Sequence, residues 1–90
     1  MAAPSRIEIK TQNWGTVVAT TQEVDPPEWA TGKAYQVHTD TGVLLGTVVK
    51  AEGGWKSVPL YGNQAGARTR QETIELLVHT MLGHNERQAP

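Results

Sequence analysis

Between residues 6 and 61 apolar and polar positions alternate with a period of two, and beyond residue 70 the period lengthens to that of a helix. In RIEIKTQ (6–12), Ile7 and Ile9 alternate with Glu8 and Lys10, as in a half-buried strand. NWG turns the chain into TVVATT (16–21), which is β-branched enough to pair back as a hairpin. QEVDPPEWATG (22–32) reads as a connection, because two consecutive prolines cannot donate ladder hydrogen bonds. Alternation resumes in KAYQVHT (33–39), with Tyr35, Val37 and Thr39 on one face and Gln36 and His38 on the other. DTG turns into VLLGTVVKA (43–51), the most apolar strand, and EGG turns into WKSVPLY (55–61).

Residues Ile74, Leu77, Val78, Met81 and Leu82 fall at i, i+3, i+4, i+7 and i+8, the stripe of a core-facing helix. Thr69 is the expected N-cap, Glu72 three residues on completes a capping-box pattern, and Gly83 is the expected stop. The pattern predicts an α+β domain over residues 1–83, followed by a polar, fraying tail over 84–90. Its architecture is a four- or five-stranded antiparallel meander with one C-terminal amphipathic helix on one face. Val43, Leu45, Thr47 and Val49 form the richer apolar face of their strand and are expected to meet that helix. The opposite face would then carry Leu44, Val48 and Lys50, with either Trp55 or Lys56 beside them but not both. A sheet face without a covering layer is either solvated or used for binding.

Composition narrows the options. A chain of 90 residues forms one modest core and buries only about 60 to 65 % of its unfolded surface. With no cysteine there is neither a disulfide framework nor a cysteine-based zinc site to hold it, so packing or self-association must. The segment MAAPSRIEIK has neither the basic start nor the apolar run of a signal peptide, and no apolar stretch reaches bilayer-spanning length. A soluble cytoplasmic protein is expected. Net charge is −1, but residues 33–70 carry Lys33, Lys50, Lys56, Arg68 and Arg70 against Asp40 and Glu52, a local +3 flanked by acidic segments.

Candidate chemistry concentrates at YGNQAGARTR, where Gly62, Gly66, Arg68 and Arg70 lead into the helix. Backbone N–H groups at a helix start plus a cation are the materials of an anion site. GNQAGART is not a nucleotide-binding P-loop, because three residues rather than four separate the glycines and no lysine follows. The competing interpretation is a flexible loop feeding a capped helix with exposed arginines. Trp14 and Trp55 are expected to close the small core, since the chain has no phenylalanine. Trp29, in DPPEWATG, either folds back over the sheet edge or stands exposed as a binding anchor. His38, His79 and His84 lack metal-ligand spacing, and His79 follows Glu75 by four residues as an ordinary helix-surface pair. No enzyme activity, metal or cofactor is expected.

Over residues 35–82, Gly54 and Trp55 opening the last strand, then Thr69, Arg70 and Glu72, then Ile74 and Leu77, form a pattern that resembles a known type of DNA-binding domain. These are the small three-stranded-sheet-plus-helix domains at the N-termini of phage integrases and in plant AP2 factors; short proteins of actinobacteria and their phages look similar. The resemblance implies a sheet laid into the DNA major groove. In this chain the DNA contacts would come from Lys33, Lys50, Lys56, Arg68 and Arg70, on a basic sheet face and at the helix N-terminus, where the two arginines would meet phosphate. The alternative is a phage-type protein-interaction module that binds a host protein through the sheet edge and Trp29. VLLGTVVKA, if it were an edge, would also invite a homodimer by strand addition.

Overall fold

The computed structural model describes residues 5–11 and 15–88, with side chains as far as Leu82. Trp14 lies outside the described residues. The chain is α+β. Its strands are β1 (Ser5–Lys10), β2 (Thr16–Val24), β3 (Ala34–Thr39), β4 (Leu44–Ala51), β5 (Gly54–Pro59) and β6 (Ala65–Ala67), and they precede one helix, α1 (Arg70–Gln88). The sheet order is β1-β2-β3-β4-β5-β6, antiparallel throughout, so the meander holds six strands rather than four or five. The sixth arises within the glycine-spaced segment expected to be loop. Trp55, Lys56 and Ser57 pair with Ala67, Gly66 and Ala65, and the Ser57 hydroxyl donates to the Ala65 carbonyl at 3.3 Å. An Ala-Gly-Ala run has no periodic side chains to announce a strand.

The register sorts the residues into two faces. Ile7, Ile9, Val17, Ala19, Thr21, Tyr35, Val37, Gly46, Val48, Lys50, Trp55 and Ser57 share the face that meets the helix. One continuous cluster joins Ile9, Ala19, Val37, Leu45 and Val48 to Ile74, Leu77, Val78 and Met81. Six strands about 4.8 Å apart would carry β1 far beyond a helix only about 10 Å wide if the sheet were flat. The sheet therefore curls into a half-barrel around α1, which brings Ile9 into the helix-bearing core.

The facing of β4 differs from expectation. Val48 and Lys50 lie on the helix side, while Thr47 and Val49 lie on the outer side and Val43 is 59 % exposed. A β-bulge explains why Leu45 still reaches the core. Val37 pairs with Gly46 but His38 pairs with Leu44, so Leu45 is the extra residue and rotates toward the helix. β4 is moreover paired on both sides and is not an edge; the edges are β1 and β6.

At the helix start the Glu72 N–H donates to the Thr69 hydroxyl at 3.1 Å, the N-cap bond expected there. The Thr73 hydroxyl donates to the Thr69 carbonyl at 2.8 Å, which satisfies a polar group that is otherwise fully buried. Gly83 does not end the helix, whose backbone continues to Gln88. The expected apolar stripe is correct: Ile74, Leu77, Val78 and Met81 are buried and Leu82 packs beside them.

Leu77 seats directly over Gly46 of β4. A Cβ on Gly46 would lie 2.9 Å from Leu77 Cδ1, 2.8 Å from Pro59 Cα and 2.5 Å from the Val58 carbonyl oxygen. Gly46 also holds φ +156°, outside the range that side-chain-bearing residues favour. Gly46→Ala is therefore expected to destabilise by about 1 to 3 kcal/mol, whereas Gly66→Ala, which meets only ordinary contacts at 3.5 Å, should stay within about 0.5 kcal/mol of wild type. Leu77→Ala should cost about 2 to 5 kcal/mol and Thr69→Ala about 1 kcal/mol. Urea melts of the four variants check the order, and a Leu77→Ala as mild as Thr69→Ala would contradict this packing.

Candidate interaction surface

Antiparallel connection brings Lys33, Lys50, Lys56, Arg68 and Arg70 to one end of the sheet. They stand before the start of β3, near the end of β4, near the start of β5, just past β6 and at the start of α1. They do not form a single basic sheet face. Lys50 is on the helix side with Trp55, Lys56 is on the outer side, and Lys33 pairs with Glu23 at 3.7 Å. Of the Trp55/Lys56 pair, it is Lys56 that lies on the outer face.

Three of the cations sit over aromatic rings. Arg70 Cζ is 4.7 Å from the Tyr35 ring centre, Lys50 Nζ is 5.9 Å from Trp55, and Lys56 Nζ is 5.6 Å from Trp29. The Tyr35 and Trp55 rings are themselves 6.2 Å apart and tilted by 35°. On the helix side this makes one continuous row of cation, ring, ring and cation, anchored by strands β3, β4 and β5. Each contact is electrostatic attraction to a ring quadrupole, worth about 0.5 to 1 kcal/mol at exposed sites. Arg68 borders an adjoining hollow of about 340 Å³ formed by the β4–β5 turn, Trp55, Lys56 and Gly66.

Trp29 lies over the outer face of the sheet rather than over its edge, and it stays half exposed. The 25–33 connection brings Pro27 and Trp29 to the outer face of the sheet, and its far end is tied to β4 by backbone bonds, Thr31 N–H to the Lys50 carbonyl and Lys50 N–H to the Lys33 carbonyl, both 2.9 Å. Beneath it Ala34 and Val49 are buried, although neither belongs to the helix-side cluster. This second, small core is what the sequence-based facing of the strands missed. The unbroken apolar run of β4 was its signal, since a strand buried on both faces does not alternate. Trp29 remains 49 % exposed. It forms one wall of an open groove of about 580 Å³, with Val58 and Val49 below and Gln36, Thr47 and Gln64 supplying hydrogen-bonding groups.

Charge at this end is balanced. Glu23, Asp25, Glu28, Glu52 and Glu72 occupy the strand ends, turns and first helical turn around the same five cations. Phosphate-backbone recognition relies on a dominant positive field, which this end does not have. Among the described residues no group of three His, Asp or Glu side chains is placed to hold a metal ion, and no helix is long and apolar enough to cross a membrane. Val43, Leu60 and Tyr61, each more than half exposed, lie at the opposite end of β4 and β5. No protein-family model matches this chain, and no curated protein or solved structure matches it either.

Proposed function

We propose that this chain is a small, non-enzymatic, cytoplasmic binding module that recognises a protein partner at the Trp29 end of its sheet. The observation that carries this is Trp29 itself, half exposed at the lip of a groove yet held in place by the pinned connection and by Lys56. An aromatic anchor that is ordered before binding loses little conformational entropy when it is buried. Tryptophan, tyrosine and arginine are the residue types that dominate protein-interface energetics, and Trp29, Trp55, Tyr35, Arg68 and Arg70 all lie at this end. Interspersed charges of both signs suit a protein surface better than a polyanion.

A nucleic-acid reading draws on a separate observation, the row of Lys50, Trp55, Tyr35 and Arg70 beside the helix start. Aromatic rings with neighbouring cations are the elements of stacking-plus-phosphate recognition. It ranks second because five carboxylates share that end and the net charge of the chain is −1.

Two measurements separate the readings. Trp29→Ala should abolish capture of a nuclease-resistant protein partner from lysate while the variant stays folded, losing at most about 3 kcal/mol in urea melts, because Trp29 also lies beside Val49 and contacts Lys56. Retention of that partner by the variant would remove Trp29 from the interface. Titration with non-specific duplex DNA at low salt should show no steep salt dependence. If DNA binds after all, Arg68→Ala with Arg70→Ala should reduce the slope of log K against log salt by about one to two, roughly one per lost phosphate contact.

A further inference from the structure

The two edges of the sheet are built differently. β1 presents Arg6, Glu8 and Lys10, all exposed, on its outer face, which is the usual protection of an edge against unwanted pairing. β6 is Ala65, Gly66 and Ala67, with no charge and no bulky group, and it pairs only with β5. Beside it runs an open groove of about 400 Å³ lined by Gly66, Ala67, Glu72, Glu75, Leu76 and His79. Leu76 is 38 % exposed although its helix neighbours Leu77 and Val78 are buried. Among the described residues no lysine or arginine lines this groove.

We infer that this groove takes an extended basic peptide, added to β6 as a further strand with its inward side chains against α1. The dimensions agree. Three strand residues span about 10 Å, and Glu72 to His79 covers about 10.5 Å of helix, so edge and wall match over three peptide residues. Main-chain hydrogen bonds to β6 supply affinity, and alternate side chains supply selectivity. The central inward residue meets Ala67 and Leu76 and should be apolar. Glu75 shares the level of Leu76, with Glu72 about one turn before it and His79 about one turn after, so the neighbour two positions toward Glu72 should be lysine or arginine, within reach of both carboxylates; a probe with lysine at both ends offers one there whichever way the strand runs. A second copy of the chain fits less well, because pairing β6 with β6 would set the two Glu72- and Glu75-bearing helix flanks side by side. This inference stands independently of the Trp29 site, which lies on the outer face of the sheet.

The test uses the full chain, isotopically labelled, and the capped pentapeptide acetyl-Lys-Thr-Val-Thr-Lys-amide as probe, followed by amide chemical shifts. Saturable shifts confined to residues 65–67 and 72–79 are expected. The counterpart with glutamate in place of both lysines should bind at least about fivefold more weakly, and Glu72→Gln with Glu75→Gln should weaken the lysine peptide by about fivefold, the scale of two exposed ion pairs. Leu76→Ser should weaken both peptides, and Trp29→Ala should change neither. Equal binding of the two peptides, shifts located elsewhere, or no shifts at all would overturn the inference. So would concentration-dependent shifts of 65–67 without peptide, which would assign the edge to a second copy. Failure here with Trp29→Ala still abolishing partner capture would leave the proposed function intact.

Discussion

The seat of Leu77 on Gly46 is the contact from which the rest of the arrangement follows. Only a residue without a Cβ lets the helix approach β4 that closely, and only a bulge beside it turns Leu45 into the same core. A chain of this size has little interior to spare, and it has no disulfide to compensate for a loose one. Close helix seating with a curled sheet lets residues as distant as Ile9 and Met81 join one cluster. That seating also fixes where the helix begins. Arg70 is set against Tyr35, and the Glu72–Leu76 flank is set alongside β6.

The outer face obeys a second constraint. A six-stranded sheet with one helix leaves its convex side uncovered, and an apolar strand such as β4 cannot stay bare there. The proline-containing connection meets this by placing Pro27 and Trp29 beside Val49 and Val58 and under Lys56, on the side where Ala34 and Val49 are buried. Extended proline backbone suits such a cover, because it needs no ladder partners for the N–H groups it lacks. Trp29 supplies bulk to the cover but is too large to disappear into so thin a layer. Its residual exposure is thus a geometric result of covering a convex face with one short strap.

Much of this was legible in the pattern of residues, and the failures share a cause. The helix stripe from Ile74 to Leu82 and the Thr69 cap depend on local spacing, and both agree with the structure. Strand positions were legible for the same reason, except that β2 continues to Val24, since only at Pro26 does the backbone lose its donor. What local spacing does not carry is facing through a bulge. Strict alternation placed Val49 toward the helix and Lys50 away from it, and one extra residue at Leu45 reverses that inference. β6 was illegible because its strand character comes from pairing with Ser57 and Trp55 rather than from its own side chains. Gly83 was read as a stop from its place just after the apolar stripe, and a glycine stops a helix only when the chain turns there.

The cations were legible as a local excess, but their meaning changes with placement. Had Lys50 and Lys56 shared a face, with Arg68 beside them, their fields would have added into a positive surface. Adjacent positions on paired strands instead send Lys50 and Lys56 to opposite sides of the sheet, and each finds a tryptophan there. A cation over a ring orders the ring as well as itself. Lys50, Lys56 and Arg70 are therefore engaged with Trp55, Trp29 and Tyr35 rather than pooled into one field, and the proposed protein-binding role rests on those ordered rings among mixed charges.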